Sequence, residues 1–226
     1  MNLTTGLTVP VGITLDLTAE GASFELRDGV ALTVDGTVNA SGHGGQGKGW
    51  VAGGLRIGDG TTVINGSGTI RLRIKGRLLN VGSDQSTRQL TLDGVTLVGW
   101  EDNNDSLVEV NNGGALVLKS GAITGNTRAG WTDGGGVSVR KGVFRMEGGA
   151  IYGYGPNDPD SNKVKQGEAI MPNRGHATAV FDCDRDDEDY RNEYGEYPLI
   201  ILAKRDSTAW SDESGNMTNN WPNGSG

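Results

Sequence analysis

Three aromatic residues, Trp100, Trp131 and Tyr154, stand in segments crowded with Asn103, Asn104, Asp105, Asn126, Arg128, Asp133, Asn157, Asp158 and Asp160. An indole or phenol face receives the C–H face of a sugar ring, while neighbouring amides, carboxylates and guanidinium groups bond its hydroxyls. Trp100, Asn104, Arg128, Trp131, Asp133 and Tyr154 are therefore the candidate ligand-binding residues. In the alternative reading each aromatic folds back over its own loop and covers apolar surface. A second chemistry is written in Asp182-Cys183-Asp184-Arg185-Asp186-Asp187-Glu188-Asp189, the densest charge run of the chain. Calcium takes about six to eight oxygen ligands, so Asp182, Asp184, Asp186 and Asp187 are candidate metal ligands. No alternating Asp-x-Asp-x-Asp-Gly loop accompanies them, and such runs also serve as solvated surface. No cofactor is required on this reading, and calcium is optional. Asn157 to Asn162 is a weaker candidate, because Pro, Asn and Asp also make ordinary turns.

The elements that position these groups follow from composition. Glycine supplies 39 of the 226 residues. Each costs about 0.8–1 kcal/mol relative to alanine inside a helix, which argues against helical bundles and doubly wound folds. With 6 prolines and no Gly-X-Y period the chain is not collagen-like. Alternating runs such as Leu90-Thr91-Leu92 and Val137-Ser138-Val139 read as strands with one buried face. A net charge of −8 argues against nucleic acid as partner. Cys183, the single cysteine, leaves no disulfide frame and no cysteine-type zinc site. No apolar run approaches the length of a transmembrane helix, and the opening Met1-Asn2-Leu3-Thr4 carries no leader pattern; the segment reads as cut from a longer chain.

Internal repeats settle the architecture. Leu116-Val117-Leu118-Lys119-Ser120-Gly121-Ala122-Ile123-Thr124-Gly125 and Phe144-Arg145-Met146-Glu147-Gly148-Gly149-Ala150-Ile151-Tyr152-Gly153 match position for position. Leu90 to Gly99 fits the same frame, and a further alternating run follows each copy: Leu107 to Val110, Val137 to Val139 and Ala177 to Phe181. Three short strands per repeat cannot close a sandwich, but they make one turn of a solenoid whose coils stack about 4.8 Å apart. This predicts interior ladders Leu92/Leu118/Met146 and Leu97/Ile123/Ile151, and a shared corner at Gly99, Gly125 and Gly153. The expected fold is all-β, a right-handed single-stranded parallel β-helix over 1–205, with 206–226 as a cap or partly disordered tail. The connections Trp100 to Ser106, Asn126 to Gly136 and Tyr154 to His176 leave equivalent positions and lengthen from coil to coil. Their residues should share one side of the solenoid, where loops on a rigid scaffold tend to bind.

The segments Gly121-Ala122-Ile123-Thr124-Gly125-Asn126, Gly134-Gly135-Gly136-Val137-Ser138-Val139 and Gly148-Gly149-Ala150-Ile151-Tyr152-Gly153 resemble repeats of bacterial right-handed parallel β-helix surface proteins of the pectate-lyase-like superfamily. Leu7 to Leu17 is similar to a first coil of such proteins. The resemblance covers most of residues 6 to 205 and implies architecture, since lyases, glycoside hydrolases, adhesins and phage tail spikes all share it. A lyase of the pectate type implies an aspartate–calcium cluster with an arginine beside it, and no Arg-x-Pro-x-x-Arg segment is present. A polygalacturonase-like hydrolase implies Gly-His-Gly and Arg-Ile-Lys, and Gly42-His43-Gly44 and Arg73-Ile74-Lys75 occur in that order. The aspartate motifs that precede the histidine in that family are missing: only Asp16, Asp28 and Asp35 lie upstream, so the carboxylate pair for hydrolysis is absent. His43 is expected in a loop, and Arg71, Arg73 and Lys75 on a solvated strand face. The reading is a non-catalytic extracellular or cell-surface module for adhesion or glycan recognition, its partner a glycan or host-surface ligand. A polysaccharide-degrading enzyme or its inactive remnant, and a structural spacer, are the alternatives.

Overall fold

The computed structural model describes residues 2–43, 54–83, 86–129, 135–139, 142–152, 160, 162–166, 169–170, 178–180 and 199–202. No described residue is helical. The chain opens with β1 (Asn2–Leu3), β2 (Leu7–Val9) and β3 (Thr14–Leu17), and stacks on them β4 (Ser23–Leu26), β5 (Ala31–Val34) and β6 (Thr37–Ser41). The next rungs are β7 (Gly54–Ile57), β8 (Gly60–Asn65) and β9 (Thr69–Ile74), then β10 (Leu79–Val81), β11 (Arg88–Asp93) and β12 (Thr96–Val98). After β13 (Val108–Val110), β14 (Gly114–Leu118) and β15 (Ala122–Thr124), a side strand β16 (Thr127–Ala129) leaves the stack. The stack resumes with β17 (Val137–Val139), β18 (Val143–Met146) and β19 (Ala150–Ile151). Beyond it β20 (Lys163–Gln166) and β21 (Ala169–Ile170) stand with β16, while β22 (Thr178–Val180) and β23 (Leu199–Leu202) extend two of the faces.

Strands at equivalent places pair in parallel from rung to rung, which makes a parallel β-solenoid with three faces. One face is a 7-stranded sheet, β2-β5-β8-β11-β14-β18-β23, and the next a 6-stranded sheet, β3-β6-β9-β12-β15-β19. The third is divided into β1-β4-β7 and β10-β13-β17-β22. Alternation decides which side chains enter the column. Leu92 registers on Leu118 and Leu118 on Met146, Leu97 on Ile123 and Ile123 on Ile151, and all six are buried. The first ladder runs back through Ile64 and Leu32, the second through Ile70 and Val38. Burying one such side chain stabilises by about 1.5–3 kcal/mol, so the interior column is what holds the rungs together.

The expected corner glycines act by two different means. Gly125 has φ +68°, a left-handed conformation, whereas at Gly99 a Cβ would stand 2.3 Å from the Cβ of Asn126. Gly153 and residues 206–226 lie outside the described residues. A second glycine corner, between the 7- and 6-stranded faces, includes Gly121, where φ is +95° and a Cβ would meet the Val95 carbonyl oxygen at 2.1 Å. No helix among the described residues is long and apolar enough to cross a membrane.

Candidate functional site

The side expected to carry loops is held together by its own backbone. Asn103 bridges in parallel to Arg128, and β16 pairs in parallel with β20, setting Arg128 opposite Val164. Connections from successive rungs therefore stack beside the solenoid as its coils do. Trp100 is half-buried and packs against the interior cluster, the arrangement in which an aromatic covers apolar surface. Asn104 is half-buried and its amide nitrogen donates to Asn103 Oδ1 at 2.9 Å. Arg128 is half-buried on β16. Trp131, Asp133 and Tyr154 lie outside the described residues, as do Asp182, Asp184, Asp186 and Asp187 of the expected calcium site. Among the described residues no three His, Cys, Asp or Glu side chains cluster as a metal would require.

Two asparagines that the sequence places on this surface turn inward instead. Asn103 and Asn126 are fully buried, and so is Asn162. Asn103 Nδ2 donates to the Gly76 carbonyl at 2.9 Å and to Asn126 Oδ1 at 3.0 Å, and the Gly76 amide returns a bond to Asn103 Oδ1 at 2.8 Å. Asn126 Nδ2 bonds the carbonyls of Asp105 and Gly135, and Asn162 Nδ2 those of Ile123 and Tyr152. A corner leaves backbone groups without ladder partners, and a buried amide supplies both donors and an acceptor to them. These side chains fasten loops to rungs and are not available to a ligand.

A deeper site occupies the third face, where its sheet divides. The pairing of β6 with β9 slips between Ala40 and Ser41, so that Ser41 registers on Ile74. The chain beyond β6 then meets the chain beyond β9 in an antiparallel bridge: His43 N donates to Arg77 O at 2.7 Å, and Arg77 N to His43 O at 2.9 Å. Arg77 is held from the other side by Glu109 at 2.9 Å and Asp105 at 3.5 Å. β10 pairs with β13, while β7 ends the sheet above it. A groove of about 490 Å³ opens at this division, lined by Glu25, Arg27, Asp28, His43, Arg56, Ile57, Gly58, Asp59, Asn80 and Arg88. Its volume falls within the roughly 300–1,000 Å³ of small-molecule sites.

Three acids and three arginines face one another there. Arg27 pairs with Glu25 at 3.2 Å, and Arg88 Nε with Asp59 Oδ1 at 3.2 Å. Asp28 Oδ1 accepts the Thr61 amide at 2.8 Å, tying one rung to the next. The bond from Arg88, with a second from Ser86, holds the Asp59 carboxyl below the usual carboxylate range. It is therefore an ionised acceptor and a poor proton donor. His43 lies in the connection after β6, where the sequence places it, and is buried there. Its Nε2 lies 2.7 Å from the Leu55 carbonyl, which can only accept, so Nε2 carries the hydrogen. Burial holds the ring below the ordinary histidine pKa; the Leu55 bond opposes this, and Arg56 and Arg77 add to it. Arg73 and Lys75 stay on the surface as expected, Arg73 bonding Asn39 at 3.1 Å and Lys75 bonding Asp102 at 2.6 Å.

Sequence reasoning missed Asp28, Arg56, Asp59, Asn80 and Arg88. One signal was present: Leu26 registers on Ile57, which puts Asp28-Gly29 and Asp59-Gly60 at equivalent turns of neighbouring rungs. Comparison with known protein families, with curated proteins and with solved structures finds no match. The chain is placed by its topology: a parallel β-solenoid.

Proposed function

We propose that this solenoid is a non-catalytic module of the pectate-lyase-like kind, secreted or displayed at a bacterial surface, that recognises a glycan for adhesion. The observation that carries the reading is the groove at the division of the third face, where charged and amide side chains converge on a rigid parallel scaffold. Ionised carboxylates, amides and guanidinium groups are the partners that ring hydroxyls take. Against catalysis stands the way Asp59 is engaged, since its bonds from Arg88 and Ser86 hold that carboxyl below the usual carboxylate range. Glycoside hydrolysis needs one carboxyl that is still protonated. Calcium, held by the run from Asp182 to Asp187, is an optional addition to this scheme.

The enzyme reading keeps one observation in its favour, the presence of His43, Asp28 and Asp59 in a single groove. An array of neutral and acidic oligosaccharides, probed with the full chain and with an Asp59→Ala/Arg88→Ala variant, tests both. Binding by the wild type that the variant loses is the expected result. Binding that survives in the variant moves the site to the side of Trp100 and Arg128, and cleavage of a bound oligosaccharide, read by mass spectrometry, overturns the non-catalytic assignment.

A further inference from the structure

We infer that Arg56 is the groove's oxyanion receptor and that the ligand carries a single carboxylate or sulfate ester on a sugar ring; the ring rests on the glycan reading above, the anion does not.

The argument starts from the register of β4 on β7, which sets Glu25 directly opposite Arg56. An acid and a base so placed on one face of a sheet ordinarily neutralise each other. Here Glu25 turns along its own strand to Arg27 at 3.2 Å. Arg88 is engaged by Asp59. The Arg56 backbone belongs to the β4–β7 ladder, but its half-buried guanidinium has no ion pair or hydrogen bond among the described residues. A guanidinium presents five donors in a planar fork that matches the two oxygens of a carboxylate or sulfate. Its partial burial makes such a partner worth more than it is on an open surface.

The surroundings limit what that partner can be. Asp28 and Asp59 flank the groove as acceptors, so they take hydroxyl hydrogens and repel a second negative charge. A polyphosphate is disfavoured on that ground, and a ring with one oxyanion and several hydroxyls is favoured. Gly58 leaves the backbone bare at the groove wall, since a Cβ there would stand 2.9 Å from the Leu26 carbonyl oxygen and 3.3 Å from Glu25 Oε1. With a net charge of −8 the whole chain repels anions at a distance, so selectivity must come from contact.

The test is a nuclear magnetic resonance titration of the full chain that follows the Arg56 Nε–Hε signal. The probes are acetate, sulfate, N-acetylneuraminic acid, N-acetylglucosamine 6-sulfate and neutral N-acetylglucosamine. The acidic sugars should bind about tenfold more tightly than the neutral one, as a charge-assisted bond to a fork implies. Arg56→Gln should abolish that preference with the thermal midpoint unchanged, and Arg56→Lys should restore only part of it, since an ammonium is a point charge. Equal binding of neutral and acidic sugars, or a preference that survives in Arg56→Gln, overturns the inference and leaves the glycan reading standing. Acetate and sulfate moving the Arg56 signal while no sugar binds supports the anion site and overturns the glycan reading. No response to any probe overturns both.

Discussion

The side-chain amide of Asn103 donates to Oδ1 of Asn126 at 3.0 Å, joining two successive corners of the solenoid inside a region closed to water. Asn126 also takes the Trp100 amide at 3.3 Å and gives its own hydrogens to Asp105 O and Gly135 O. Truncation leaves these partners buried and unmet. Asn126→Ala should destabilise by about 3 kcal/mol or more, and Asn104→Ala, whose side chain is half-exposed, by about 0.5 kcal/mol or less. Urea unfolding of the two variants checks the contrast.

Gly121 and Gly12 both have positive φ, +95° and +79°, but only Gly121 is crowded. A Cβ at 121 meets the Val95 carbonyl oxygen at 2.1 Å, and one at 12 meets nothing within 4 Å. Gly12→Ala should therefore cost only the conformational penalty, about 1–2 kcal/mol. Gly121→Ala should cost roughly 3 kcal/mol or more, because backbone of the neighbouring rung must move. Thermal midpoints of the pair measure the difference.

Trp100 packs on the interior cluster from a connection between rungs. Trp100→Ala should lower stability by about 2 kcal/mol through lost apolar burial. The same variant should leave groove ligands bound as before, which calorimetry on the folded variant reads separately from the midpoint.

His43 has a folded-state pKa below that of an unfolded histidine because the ring is buried and flanked by Arg56 and Arg77. The sign follows from proton uptake. Above about pH 6.5 neither state binds the proton, and the full contribution of the neutral ring is present. As pH falls below that value the unfolded chain is protonated first, and stability is lost until the folded pKa is passed. The carboxyls of Asp16 and Asp59, also lowered, act in a separate window below the usual carboxylate range. Urea midpoints between pH 7.5 and 5 should fall for the wild type and stay nearly level for His43→Gln, which keeps a donor for the Leu55 carbonyl.

Strand order and core were legible because they depend on alternation, a property of single segments. Leu118 sits between Leu92 and Met146, as the repeat alignment requires. The inward asparagines were legible as residues but not as roles, since nothing local separates Asn126, which is buried, from Asn104 beside another corner. The groove was least legible. Its existence depends on a slip at Ala40/Ser41 and on the meeting of His43 with Arg77, both set by which distant segments pair. Of the residues first singled out for a ligand, Trp100 is half-buried against the core, and Arg128 stands in a strand beside the solenoid.

The division between β7 and β10 also has a mechanical meaning. Two faces carry an unbroken ladder through that level, whereas among the described residues β7 and β10 do not pair and the His43–Arg77 bridge alone spans the division of the third face, so the rod is not equally stiff in all directions. It is most compliant toward or away from the divided face. Curvature of the long axis and width of the groove are then one variable, and whatever wedges into the groove also sets how the rod bends.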